Sequence, residues 1–313
     1  MSKRGTIHID AALTNYAVNY RNENFIADKV LPVIPVAKQS DKYFIFGKEA
    51  FQLYDDKRAN GKESKEVVSW TVSNDNFFCD VHALSDLVSD EDRNSADAPI
   101  MPDMLTTDRL MQMIMLRREY STASKLFNAT TFAGYTTPLT GTDRWDDFAN
   151  SDPIGDIEDA KGKVQGAVGF EANSMIIGVS VYRKLIQHPD LIARVKYVQK
   201  GVLTLADLKL LFQVENIYVG SALYRSTKEG QTETLSKVWG KMALVYYQPK
   251  STPDLKVPNI GFIPTWKIYG NKTALVEKYR INTRHGDLVD VQAAYDVVIS
   301  LAASGYLYTT VVA

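Results

Sequence analysis

DMLTTDRLMQMIMLRREYSTASKLF, Asp103–Phe127, carries no glycine or proline, and the chain meets neither until Gly134. Pro99 and Pro102 precede it, and Asp103 stands where a side chain can cap a helix start. Leu110, Met113, Ile114, Arg117, Tyr120, Ser121, Ser124 and Phe127 recur every three to four residues and form one mainly apolar stripe. Arg109, Gln112, Arg118, Glu119 and Lys125 supply the polar positions. At about 1.5 Å per residue such a helix spans roughly 37 Å. That length suits a rod across a molecule, although a core helix of a large domain has the same pattern.

Upstream of the rod the texture is extended. Ser85 to Ala98 is acidic and polar and reads as a loop, and Asn76 to Leu84 reads as strand. Val68, Trp70 and Val72 alternate with Ser69, Thr71 and Ser73, a half-buried strand pattern, and Tyr43-Phe44-Ile45-Phe46 is a second β-rich run. The two runs suggest a hairpin. Between them lies an almost wholly polar stretch containing Asp55, Asp56, Lys57, Arg58, Lys62, Glu63 and Lys65. It cannot bury itself, so it is expected to project into solvent as a charged tip or onto a neighbour, and these seven residues are the candidate inter-subunit contacts. In residues 1 to 36, Ala11 to Tyr20 fits a short helix, while Pro32 and Pro35 hold Leu31 to Val36 extended. Residues 1 to 73 are therefore expected to borrow surface from adjacent copies.

Downstream, Thr130 to Asn150 reads as a boundary, and from Asp152 helices and strands alternate. Asp152-Pro153 opens a helix with Ile154, Ile157, Ala160, Val164 and Val168 on one face. Ser174 to Val179 is a short apolar strand, and two helical pieces follow it, divided by Pro189. A helix over Leu203 to Phe212 and a strand over Val214 to Val219 come next. Longer strands are expected at Lys241 to Gln248, Gly261 to Tyr269, Leu275 to Thr283 and from Leu288 onward. The class is α+β.

Composition narrows the function. With 45% hydrophobic and 23% charged residues among 313, a sizeable core is possible. The 36 Lys+Arg and 37 Asp+Glu leave a net charge of -1, without the basic excess of a phosphate-gripping protein. Cys79 is the sole cysteine, which excludes an intrachain disulfide and a four-cysteine zinc site. Neither a signal peptide nor a spanning run is expected.

Catalytic motifs fail on inspection. Gly162, Gly166 and Gly169 do not make a dinucleotide fingerprint, and P-loop, nucleophile-elbow and zincin patterns are missing. His8, His82, His188 and His285 are far apart, so each reads as structural. Asp90, Asp92 and Asn94 occupy the first positions of a calcium loop. Ser95 stands where that loop needs glycine and Met101 where it needs glutamate, so an exposed acidic loop is the better reading. A dispersed Ser-His-Asp triad stays open because its members can lie anywhere in sequence; Asp190 stands two positions from His188, but nearness in sequence is no evidence of catalytic geometry.

The order of segments resembles the major capsid proteins of tailed phages, whose shell fold is shared with herpesvirus capsid floors and encapsulins. The local match is strongest at Ala172-Asn173-Ser174-Met175-Ile176-Ile177-Gly178, followed by Tyr182 to Leu191, and the ending from Asp296 to Leu307 is similar too. The resemblance implies an N-terminal arm at 1–37 and an E-loop hairpin at 38–75. It implies a P-domain at 76–149 and 272–294, with its spine helix at about 103–127, and an A-domain of mixed α/β at 150–271 and 295–313. It further implies a structural protein without catalytic, cofactor or metal residues, which self-assembles into pentamers and hexamers of an icosahedral head around double-stranded DNA. Portal, scaffolding and decoration proteins would be its partners, the packaged DNA would be held without sequence-specific binding, and no membrane would be involved. The protein would reside in the virion after assembly in the host cytoplasm. The long N-terminal scaffolding extension of many relatives is not seen, which implies a separate scaffold or self-guided assembly. An encapsulin-like cargo shell and a soluble α/β hydrolase are the alternatives.

Overall fold

The computed structural model describes residues 8–10, 13–14, 17, 22, 24–45, 47, 51, 53, 57, 60, 73–96, 101–196, 203–228, 230–250, 257–267 and 273–313. In chain order the described elements begin with β1 (His8–Ile9), α1 (Ala27–Val30), β2 (Val33–Val36), β3 (Ser40–Ile45), β4 (Ser73–Phe78), β5 (Asp80–Ser89), α2 (Asp90–Ser95) and α3 (Pro102–Leu126). There follow β6 (Thr136–Pro138), α4 (Pro153–Val168), β7 (Ser174–Gly178), α5 (Val179–Leu185), α6 (Pro189–Lys196), α7 (Leu205–Leu211) and β8 (Asn216–Gly220). The remainder are β9 (Leu223–Arg225), β10 (Leu235–Lys237), β11 (Ala243–Tyr246), β12 (Gly261–Trp266), β13 (Ala274–Ile281), β14 (Gly286–Tyr295), β15 (Val298–Ile299) and β16 (Gly305–Thr309).

The 25-residue α3 is the expected rod, rotated from the expected face. Leu110 and Ile114 are buried as the stripe requires, but Thr107, Met111, Glu119, Thr122, Ala123 and Leu126 complete the inward row. Met113 and Tyr120 are exposed. Helix start also differs. Pro102 takes the first position, Met101 in the cap position makes no side-chain cap bond, and Asp103 is left for ion pairing.

Two large sheets flank two cores. The seven-stranded sheet runs β1-β13-β14-β12-β15, with β2 beside β12 and β5 beside β14. All ten residues of β5 pair antiparallel with β14, from Gly286↔Ser89 to Tyr295↔Asp80. The loop expected over Ser85 to Ala98 is thus overturned from Ser85 to Ser95, and residues 97–98 lie outside the described residues. Pairing with β14 carries Ser85, Asp86 and Ser89 as strand despite their low β-propensity, and α2 follows at once. The five-stranded sheet runs β6-β16-β11-β7-β8, with β7 and β8 parallel across the α5, α6 and α7 crossover.

The five-stranded sheet is buried on both faces. Met175, Ile177, Ala243, Val245, Tyr306 and Tyr308 join the core built on α4. Their alternate neighbours Ile176, Leu244, Tyr246 and Leu307 join the core that contains α3 and the seven-stranded sheet. Period-two alternation between two apolar environments explains why these strands read as continuous hydrophobic runs. β12 pairs with β2 and β14 in the seven-stranded sheet, although it lies inside 150–271, and β6 joins the five-stranded sheet from within 76–149.

The arm lies on its own chain wherever it is described. β1 pairs with β13, and β2 pairs in parallel with β12, from Val33↔Ile263 to Val36↔Trp266. Leu13, Ala17, Ile26, Val30 and Leu31 are buried. The expectation that residues 1 to 73 must borrow surface from adjacent copies therefore fails over this part, because the edges of β12 and β13 satisfy the extended backbone in cis.

Candidate assembly site

β3 and β4 form a separate antiparallel ribbon, from Ser40↔Phe78 to Ile45↔Ser73. Most of its residues are exposed, Phe44 at 56% and Phe78 at 54%, so the ribbon offers two aromatic rings to solvent. An isolated two-stranded ribbon is marginal in water. Among the described residues this one is anchored at its root and through Tyr43 and Phe77. Cys79 N–H donates to the Gln39 carbonyl at 2.9 Å, Gln39 Nε2 donates to the Cys79 carbonyl at 3.1 Å, and Tyr43 packs edge-on against Phe262 at 5.4 Å. Burial and the Asp75 carboxylate push the Tyr43 hydroxyl up to about 12. Phe77, Cys79, Phe262, Leu275, Ala294 and Val298 make a small third core beneath it.

Beyond the ribbon, Lys57 is exposed, and Leu53 is 98% exposed. Asp55, Asp56, Arg58, Lys62, Glu63 and Lys65 lie outside the described residues, as does the Val68 to Val72 run. Phe51 reaches the body. Its ring covers Gly169, where the positive φ of 79° and a Cβ contact of 2.4 Å both exclude a side chain, and it meets Phe170 edge-on at 6.2 Å.

An ion network gathers the head of α3. Arg93 holds Asp103 and Asp287, each at 2.7 Å, while Lys278 holds Asp103 at 2.6 Å and Asp287 at 3.5 Å. Burial pushes the Asp103 carboxyl up, but Lys278 and Arg93 outweigh it and hold the group below the usual carboxylate range. Asp287 behaves alike, with Arg93 and Lys278 overcoming burial. Asp90, the first residue of the calcium-loop pattern, is gripped by both Arg280 guanidinium nitrogens at 2.6 and 2.5 Å, and this lowers its pKa. Ser89 Oγ caps α2 by accepting the Asp92 N–H. The pattern folds as helix, and no metal-holding group of three or more His, Cys, Asp or Glu occurs among the described residues.

Glu119 was legible only as a polar position on the rod, yet it is fully buried. Oε1 accepts the Ile26 N–H at 3.0 Å and the Trp239 indole N–H at 2.5 Å, and Oε2 accepts the Ala27 N–H at 2.8 Å. Burial pushes its pKa up, opposed by these donors. One signal could have placed it. Met111, Met115, Glu119, Thr122 and Leu126 form a single row at spacings of three and four.

His188 does gather a serine and an aspartate, in the wrong sense for catalysis. Ser151 Oγ donates to the Asp147 carbonyl at 2.7 Å, so at 3.1 Å it accepts from His188 Nε2. Nδ1 accepts the Asp190 N–H at 3.3 Å, and the Asp190 carboxylate stands 4.0 Å away and largely exposed. A nucleophile needs the opposite tautomer, with Nε2 free to take the serine proton. Ser151 and His188 are both buried.

Comparison with known proteins agrees with this picture. Residues 106–255 match the family model for phage major capsid protein E. The chain is 34% identical to a major capsid protein of Burkholderia phage BcepMu over 77% of this chain and 76% of that one. It is 27% identical to a major capsid protein of Pseudomonas phage JBD67 over 97% of each. Its fold superposes on a phage-related protein from Bordetella bronchiseptica RB50 with a TM-score of 0.77, at 29% identity and 98% coverage of both chains. No helix among the described residues is long and apolar enough to cross a membrane. On these similarities the chain belongs to the phage major capsid proteins, a family of structural shell subunits rather than enzymes.

Proposed function

We propose that this chain closes into pentamers and hexamers, and that these build an icosahedral head around double-stranded DNA. The observation that carries the reading is the β3–β4 ribbon, which is rooted on the body through Tyr43 and Phe77 but keeps most of its residues exposed. Contacts between identical subunits that meet through different patches generate rings, and a reaching ribbon spreads modest contact area over several neighbours. In this reading residues 1–37 are the arm and 38–75 the E-loop. Residues 76–149 and 272–294 form the P-domain with α3 as its spine, and 150–271 and 295–313 form the A-domain. Asp55, Asp56, Lys57, Arg58, Lys62, Glu63 and Lys65 make salt-sensitive contacts that favour register over raw affinity. A net charge of -1 suits a wall that encloses DNA without gripping it. Portal, scaffolding and decoration proteins complete the head.

Negative-stain microscopy of the purified protein, alone and with the products of its neighbouring genes, tests this. Large closed particles are expected. A persistent monomer under both conditions would overturn the reading.

A further inference from the structure

A rod needs no charge at its middle, so the buried carboxylate of Glu119 calls for a reason. It meets three parts of the chain at once: α3 itself, the start of α1 through the Ile26 and Ala27 N–H groups, and the β10–β11 connection through Trp239. Trp239 is not free to adjust. Its ring meets Phe127 edge-on at 5.2 Å, and a Cβ on Gly220 would come within 2.1 Å of it. The arm packs on one side, where Ile26, Val30 and Leu31 are buried. On another, a cavity of about 680 Å³ is lined by Phe25, Asp28 and Val33 together with Met111, Met115 and Tyr295, so side-chain packing there does not fix the angle at which the chain crosses the rod. Arg118 and Asp28 pair nearby at 2.5 Å, at a more exposed position.

We propose that Glu119 is a positioning residue for the N-terminal arm: by holding the Ile26, Ala27 and Trp239 N–H groups on one carboxylate, it sets the direction in which the arm leaves α3 and ties that direction to the β10–β11 connection. The role of the arm in assembly rests on the function proposed above; the geometry at Glu119 does not. A carboxylate suits this work because its two oxygens accept several donors together. Once ionised, it has no proton to set against the converging N–H groups.

The test is amide hydrogen exchange in the whole protein, reading Ile26 and Ala27 against the interior β14 amides of Val289 and Val291. Glu119→Gln turns one acceptor into a donor facing N–H groups. Trp239→Phe keeps an aromatic ring while removing the indole N–H together with part of the buried ring, and the β14 amides control for the void it leaves. Trp239 hydrogen-bonds neither arm amide, so a rise confined to Ile26 and Ala27 points to the carboxylate. Both substitutions are expected to speed exchange at Ile26 and Ala27 by about tenfold, the scale of one lost hydrogen bond to a charged acceptor, with Val289 and Val291 unchanged. Unaltered Ile26 and Ala27 exchange in Trp239→Phe, or an equal rise at Val289 and Val291, would overturn the proposal. Microscopy of the same variants separates the two questions: normal particles from subunits with accelerated arm exchange would refute the arm's part in assembly and leave the positioning role standing.

Discussion

The substitution Asp103→Asn is expected to loosen the head of the long helix by an amount the geometry bounds. The carboxylate receives Arg93 Nη2 at 2.7 Å, Arg93 Nε at 3.2 Å and Lys278 Nζ at 2.6 Å. Side chains here are about a quarter exposed, so the pairs fall between surface bridges, worth about 0–1 kcal/mol, and buried ones, whose rupture costs about 3–5 kcal/mol. Neither cation is orphaned, because Asp287 still contacts Arg93 at 2.7 Å and Lys278 at 3.5 Å. The expected loss is therefore about 1–3 kcal/mol at neutral pH. The sign of the pH dependence follows from the lowered pKa of Asp103. A carboxyl whose folded pKa is depressed contributes stability above its ordinary value of about 4 and loses it as pH falls through the folded value. The amide of the variant does not titrate and makes no such contribution, so the gap between the two proteins should narrow on acidification. Urea unfolding of unassembled subunits at pH 7 and near pH 3 measures both quantities. A gap unchanged between the two pH values, or no gap at neutral pH, would refute the ion-network account.

Three further outcomes are expected. Gly220→Ala forces a Cβ to within 2.1 Å of the fully buried Trp239, and overpacking of this kind should cost about 1–3 kcal/mol, read as a lowered melting midpoint; an unchanged midpoint would show that the site can relax. Burial lowers the His188 pKa, so this residue supports the fold above about pH 6.5 and less as pH falls below it; the stability difference between the wild-type protein and His188→Asn should shrink between pH 7 and 5 in thermal melts. Neutralising Asp55, Asp56, Lys57, Arg58, Lys62, Glu63 and Lys65 together should leave a folded subunit with impaired assembly, and ordinary particles under the microscope would remove those charges from the interface.

What the sequence made legible was local. α3 needed only an unbroken run after two prolines, and α4 needed its Asp152 cap, which accepts the Gly155 N–H at 3.1 Å, together with a stripe whose five expected positions are all buried. What stayed hidden depends on partners distant in sequence. Ser85 to Ser89 are strand because β14, some two hundred residues later, supplies the ladder. Glu119 looked like solvent-facing charge because its three donors lie far from it along the chain. The short β9–β10 ribbon left no periodic signal in three-residue strands. It is held by Tyr224 against Tyr120 of α3 at 5.0 Å. The charged stretch from Asp55 to Lys65 lies almost wholly outside the described residues, and polarity alone carries no information about where such a segment lands.

The five-stranded sheet has a mechanical consequence. A wall whose two sides serve different cores cannot be stripped from one without wetting the other, so β7, β11 and β16 should be lost together, in one step, or not at all. Copies of such a body placed at flatter and sharper points of a closed surface have no internal seam along which to flex. In the assembly proposed above, differences in local bend are then expected at the exposed β3–β4 ribbon rather than within this two-sided sheet.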